Sequence, residues 1–149
     1  MPLAERRANV VWAGTLTEGK GEITSVGSRA FGNLPVTWAA RTERSDGKTS
    51  PEELISAAQA SCYAMALSAV LAERGTPPES LNVSAVCAFD LVDGAPKVTT
   101  MDISVRGKVP GLDVAGFQDA ARAGEQLCPV ANALRNNVDI RLTAELEAD

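Results

Sequence analysis

Three thiols, Cys62, Cys87 and Cys128, are the groups in this chain best suited to chemistry, and the chain has no histidine. The missing imidazole removes Ser-His-Asp and Cys-His hydrolases, the usual zinc enzymes and haem ligation by histidine. Acid–base work is left to carboxylates, thiols, lysine or the single tyrosine, with arginine as a fixed cation. The cysteine count is odd and no two cysteines stand in a CxxC spacing. That argues against a secreted disulfide framework and for a reducing, cytoplasmic setting.

The three thiols read differently in context. Cys87 shares one parity with Leu81, Val83, Ala85, Phe89 and Leu91, which is the ordinary setting of a small buried apolar residue. Cys62 lies in an apolar run, where a lone thiol is usually inert packing. Ser61 before it and Tyr63 after it nevertheless make a locally polar spot. Cys128 precedes Pro129 at the start of a short helix, an N-cap-like position with proline in the first turn. Unpaired N–H groups and the dipole there stabilise a thiolate; a neutral cap or a partly buried thiol fits the residues equally well.

The element that carries Cys62 dominates the chain. In the stretch 49–75 no residue from Leu54 to Ala72 is charged. Ser50 reads as an N-cap, Pro51 as the first helical residue, and Glu52 and Glu53 suit the positive end of the dipole. Arg74 and Gly75 read as the stop, with Pro77-Pro78 beyond. The result is a helix ~36 Å long, apolar all round and so expected to be buried on most sides. Its alanines, serines and Gln59 argue for a core helix rather than a membrane span.

Around it the pattern predicts strands over 8–13, 22–27 and 34–40, with Arg41 of opposite parity to Trp38. After the helix come a regular strand over 81–91, an Asp93-Gly94 hairpin turn and a returning strand through Val105. A helix capped by Asp113, a short helix 129–134 and a last strand over 138–146 complete the order. Three strands, a long helix, two strands, two helices and a strand make an α+β fold with largely antiparallel sheets around a long central helix. A chain of 149 residues with no linker or repeat reads as one domain spanning 1–149. Its net charge of -5 argues against nucleic acid and an anionic membrane surface as partners. No Gly-rich phosphate loop is present, and the N-terminal residues lack the apolar core of a signal peptide.

Several ordered motifs resemble one family. Thr49-Ser50-Pro51-Glu52-Glu53-Leu54, Ala57-Ala58 and Ser61-Cys62-Tyr63-Ala64-Met65-Ala66-Leu67 look like the signature helix of the OsmC/Ohr family. Val109-Pro110-Gly111-Leu112-Asp113, Cys128-Pro129-Val130, and Trp12, Gly14 and Gly19-Lys20-Gly21 fit as well. The resemblance covers nearly the whole chain. It implies a thiol-dependent peroxidase acting on organic hydroperoxides and, less well, hydrogen peroxide. It implies an intertwined homodimer with active sites between subunits, no cofactor and no metal, and an external dithiol reductant of lipoyl type. It assigns Cys62 as the peroxidatic and Cys128 as the resolving thiol, and matches Glu52 to the family's active-site carboxylate. The loop after the first strand has no arginine, so the active-site arginine falls where the OsmC branch carries it, at Arg41, with Arg44 as the alternative.

The chemistry constrains the geometry. A thiol has a free pKa of about 8.5 and must ionise to attack; an arginine beside Cys62 favours ionisation, and a carboxylate fixes that arginine's fork. On one helix Glu52 and Cys62 are ~15 Å apart along the axis. If both serve one site, the carboxylate comes from a second subunit. Without the resemblance, Glu52 reads as an acid in a first helical turn and Arg41 as a strand-edge charge. Two other functions fit the same residues: a non-catalytic protein that binds an apolar ligand or partner at a dimer groove, and a redox sensor.

Overall fold

The computed structural model describes residues 1–148. The fold is α+β: two three-stranded sheets and one long helix, in the order β1 (Ala8–Ala13), β2 (Lys20–Val26), β3 (Gly32–Val36), α1 (Trp38–Thr42), α2 (Pro51–Glu73), β4 (Ser80–Val92), β5 (Ala95–Lys108), α3 (Val114–Leu127), α4 (Pro129–Leu134), β6 (Asp139–Leu146). Contacts gather into two compact units, Met1–Leu54 and Ile55–Asp149.

In the first unit β1, β2 and β3 form an antiparallel sheet with β2 in the middle. The third strand ends earlier than the alternation over 34–40 predicts. Thr37 takes an extended backbone and its Oγ1 accepts a hydrogen bond from the Ala40 N–H at 3.1 Å, which starts α1 at Trp38. A threonine N-cap ahead of Ala39-Ala40-Arg41 outweighs an apolar alternation only a few residues long. Arg41 therefore does not lie across a strand from Trp38. One helical turn places both on the same side, with the guanidinium 5.9 Å from the Trp38 ring centroid.

Helix α2 is built as its end signals require. The Glu53 N–H donates to Ser50 Oγ at 3.2 Å. At the far end Gly75 has φ +82, its N–H reaches the Ala72 carbonyl at 3.0 Å, and the Thr76 N–H reaches the Leu71 carbonyl at 2.9 Å. That pair of bonds is a Schellman stop, which glycine permits at no steric cost.

The second unit carries the core. Tyr63, Leu67, Val70 and Leu71 of α2 cluster with Met101, Ile103 and Val105 of β5 and Phe117, Ala120 and Ala121 of α3. By length and composition α2 could cross a membrane, but this cluster gives it the role of a core helix. The burial is one-sided. Ala57, Ala58, Ser61, Met65, Ala69 and Ala72 stay exposed, and Met65 is 69% exposed. Strands β4 and β5 form a long antiparallel hairpin with Asp93 and Gly94 both at positive φ in its turn. The last strand departs from the antiparallel expectation: β6 pairs with β5 in parallel. A parallel neighbour requires a crossover connection, and α3 with α4 supplies it.

One glycine sets the approach of α3 to the sheet. A Cβ built on Gly107 of β5 would stand 2.5 Å from Phe117 Cζ, and the Phe117 ring is fully buried. Gly107→Ala therefore overpacks the core and is expected to cost roughly 1–3 kcal/mol. Thermal unfolding checks this; a melting temperature equal to wild type contradicts it.

Candidate active site

Cys128 stands at a junction. It ends α3, where its N–H donates to the Gly124 carbonyl at 3.0 Å, and it is the N-cap of α4 with Pro129 at the first helical position. Its side chain makes no capping hydrogen bond. The sulfur is fully buried and receives a hydrogen bond from Gln59 Nε2 at 3.4 Å.

Cys62 faces the same junction from α2. The two thiols lie within hydrogen-bonding reach of each other, and both are unbridged. Burial pushes the Cys62 thiol up from its ordinary value. A hydrogen bond from the Val130 backbone opposes this, and the neighbouring Cys128 raises it further. The first-turn amide of α4 therefore serves Cys62, whereas the sequence pattern pointed to Cys128 as the beneficiary of that helix start. Cys62 opens onto an apolar hollow of about 540 Å³ lined by Ala58, Ser61, Met65, Ala66, Leu127 and Pro129. Tyr63 is not part of that wall. Its ring is fully buried, its hydroxyl donates to the Ala121 carbonyl at 3.0 Å, and burial raises its pKa well above the usual phenol value. It stays protonated and structural.

The junction is held shut by an ion pair that the sequence pattern did not single out. Arg135, the C-cap of α4, donates to Glu125 Oε1 at 2.5 Å and to the Glu125 carbonyl at 3.1 Å. Glu125 is 8% exposed. Removing the arginine strands a buried carboxylate, so Arg135→Met is expected to destabilise the chain by about 1–3 kcal/mol. Urea unfolding measures this, and an unchanged midpoint would count against the clamp.

The other two predicted residues meet in the first unit. Arg41 Nε donates to both carboxylate oxygens of Glu52 at 3.1 Å, and a terminal nitrogen donates to Oε1 at 2.6 Å. Glu52 is 8% exposed and carries this fork at the first turn of α2. Arg44, the alternative, is a surface residue 3.6 Å from Asp46. The four predicted side chains thus form two pairs, Arg41 with Glu52 and Cys62 with Cys128. Gln59, Glu125 and Arg135 were missed. Gln59 had one visible signal: it is a lone amide in a charge-free run, three residues before Cys62.

The two-sheet α+β fold and the sequence both have counterparts among known proteins. The pattern of the family described as OsmC-like protein matches residues 44–143. The chain is 33% identical to peroxiredoxin OsmC of Escherichia coli (strain K12), over 91% of this chain and 93% of that one. It is 31% identical to the organic hydroperoxide resistance protein of Xanthomonas axonopodis pv. citri (strain 306), over 64% of this chain and 66% of that one. The fold matches the crystal structure of an organic hydroperoxide resistance protein OsmC from Legionella pneumophila, with a TM-score of 0.71, 19% identity, and coverage of 97% of this chain and 99% of that one. It also matches OhrB of Bacillus subtilis, with a TM-score of 0.70 and 21% identity over 93% and 98% of the two chains. This chain belongs to the OsmC-like protein family.

Proposed function

We propose that the chain is a thiol-dependent peroxidase that reduces organic hydroperoxides, and hydrogen peroxide less well. The observation that carries this reading is Cys62 opening on an apolar hollow with a second thiol in contact behind it. The relatives' names, peroxiredoxin and organic hydroperoxide resistance protein, support the same chemistry.

The Cys62 thiolate attacks the distal oxygen of ROOH. An S–O bond forms, the O–O bond breaks, and the alkoxide takes up a proton and leaves as alcohol. Cys62 is then a sulfenic acid, and Cys128 condenses with it to a disulfide, releasing water. An external dithiol of lipoyl type reduces the disulfide and restores both thiols. The apolar wall of the hollow favours an alkyl group on the peroxide.

Within its own unit Cys62 is pushed toward the thiol form, so the reaction needs a cation. The Arg41–Glu52 pair supplies it, held in the fork geometry that suits an anion. Glu52 lies ~15 Å along α2 from Cys62, so the pair is contributed by a second subunit and the working unit is a homodimer. The exposed apolar side of α2 and the exposed Val10, Val11 and Trp12 of β1 support such a partner.

The pH dependence follows. Desolvation alone leaves Cys62 ionising above an ordinary thiol, so Arg41→Met is expected to move the midpoint of Cys62 alkylation by iodoacetamide upward by at least ~1 pH unit. A midpoint unchanged by the substitution contradicts the role of the arginine. The raised thiol favours one rival, a non-catalytic binder of an apolar ligand. Turnover of cumene hydroperoxide with dihydrolipoamide, compared with thioredoxin, separates the two. Sustained turnover by wild type and none by Cys62→Ser is expected, and no turnover with any dithiol favours the binder.

A further inference from the structure

Gln59 is the buried group near the thiols that this scheme leaves unused. Its side chain is fully buried on α2, one turn before Cys62. Nε2 donates to Cys128 Sγ, while Oε1 has no hydrogen-bond partner among the described residues. A buried amide oxygen left unpaired destabilises the fold, and an apolar side chain of the same length would avoid that cost. That cost is set against what the amide does for the sulfur it touches.

We propose that Gln59 is a positioning residue for disulfide closure: its amide holds the Cys128 sulfur at the α3–α4 junction. The proposal rests on the peroxidatic role of Cys62 given above. Cys128 caps α4 without a side-chain hydrogen bond to the backbone, so the helix start does not hold its sulfur and Gln59 does. A fully buried thiolate is penalised by desolvation unless a donor faces it. The spacing of three residues puts Gln59 and Cys62 on one side of α2, both addressed to Cys128. A half-turn of the terminal torsion exchanges Nε2 and Oε1. The amide can then accept from the S–H of the thiol or donate to the thiolate, and so partner both protonation states.

The step balances within the protein. The Cys128 thiolate attacks the sulfur of the Cys62 sulfenic acid. The S–S bond forms and the S–O bond breaks. The departing hydroxide takes up the proton that Cys128 released and leaves as water.

Two variants test this. Gln59→Met keeps length and burial without the donor, and Gln59→Glu places an acceptor where the donor stands. In single turnover with cumene hydroperoxide, sulfenic acid is trapped with dimedone and disulfide closure is followed by mass. Closure is expected to slow about tenfold in Gln59→Met and more in Gln59→Glu, with a larger loss in closure than in Cys62 oxidation, and sulfinic acid is expected to build up under excess peroxide. Closure at the wild-type rate, or equal loss in both steps, overturns the proposal. A second readout needs no peroxide. In a Cys62→Ser background the 13Cβ signal of Cys128 is recorded at one fixed pH, and adding Gln59→Met is expected to move it, because the donor on the sulfur is lost. An unmoved signal overturns the proposal. If Gln59→Met does not fold, Gln59→Glu carries the same two readouts. If wild type consumes no hydroperoxide, the peroxidatic reading falls and the Cys128 signal still decides the role of Gln59.

Discussion

Cys62→Ser is expected to abolish hydroperoxide consumption, a fall of at least ~10³-fold, whereas Cys128→Ser is expected to complete one turnover and stall. The asymmetry follows from where each sulfur stands. Cys62 is half-buried and opens on the apolar hollow, while Cys128 is fully buried behind it. Only the first can meet a peroxide without the junction opening. A serine hydroxyl is far less nucleophilic than a thiolate, and ~10³-fold corresponds to about 4 kcal/mol of lost transition-state stabilisation. With Cys128 replaced, the Cys62 sulfenic acid forms but finds no partner thiol, and excess peroxide drives it to sulfinic acid. Peroxide consumption and intact mass, read together, check both halves. Steady turnover by Cys62→Ser, or steady turnover by Cys128→Ser with the same dithiol, contradicts the assignment.

Two impaired variants, Cys62→Ser and Arg41→Met, are expected to restore activity when mixed. Arg41→Met removes the fork donated to the buried Glu52 carboxylate. A cation beside an anion is worth ~1–3 pKa units, so its loss lowers the thiolate fraction of Cys62 at neutral pH by ~10-fold to ~10³-fold. Arg41→Lys keeps the charge without the fork and recovers only part of the rate. If each site takes Cys62 from one chain and Arg41 from the other, a mixed dimer of Cys62→Ser and Arg41→Met holds one doubly damaged site and one intact site. Random re-association of equal amounts makes about half the dimers mixed, so about one quarter of wild-type activity returns. No recovery in exchanged dimers, as when each site carries one of the two defects, would show that arginine and thiol come from the same chain.

Much of this was written in local sequence. The ends of α2 were legible because capping is a short-range matter: Ser50 bonds to the Glu53 N–H, and Gly75 takes the positive φ that stops the helix. The Cys128-Pro129 junction was legible for the same reason. The turn from β3 into α1 was not. Trp38 and Ala40 alternate like a strand, and only the Thr37 hydrogen bond decides for a helix. The parallel pairing of β6 with β5 depends on how α3 and α4 cross over, which no local pattern encodes. The thiol pair and the Arg41–Glu52 pair were expected from family motifs rather than from spacing. Contacts distant in sequence stayed hidden altogether: Gln59 on Cys128, and Val130 donating to Cys62. Nothing in the charge-free run from Leu54 to Ala72 announces which thiol its one amide will face.

The central claim is that Cys62 and Cys128 form one redox pair oxidised by hydroperoxide. The direct measurement is intact and peptide mass after the fully reduced protein meets one equivalent of cumene hydroperoxide under non-reducing conditions. The account predicts loss of two hydrogens per chain and a peptide linking Cys62 to Cys128, with Cys87 staying reduced and outside the bridge. An unchanged mass, or a bridge that includes Cys87 instead, would contradict it.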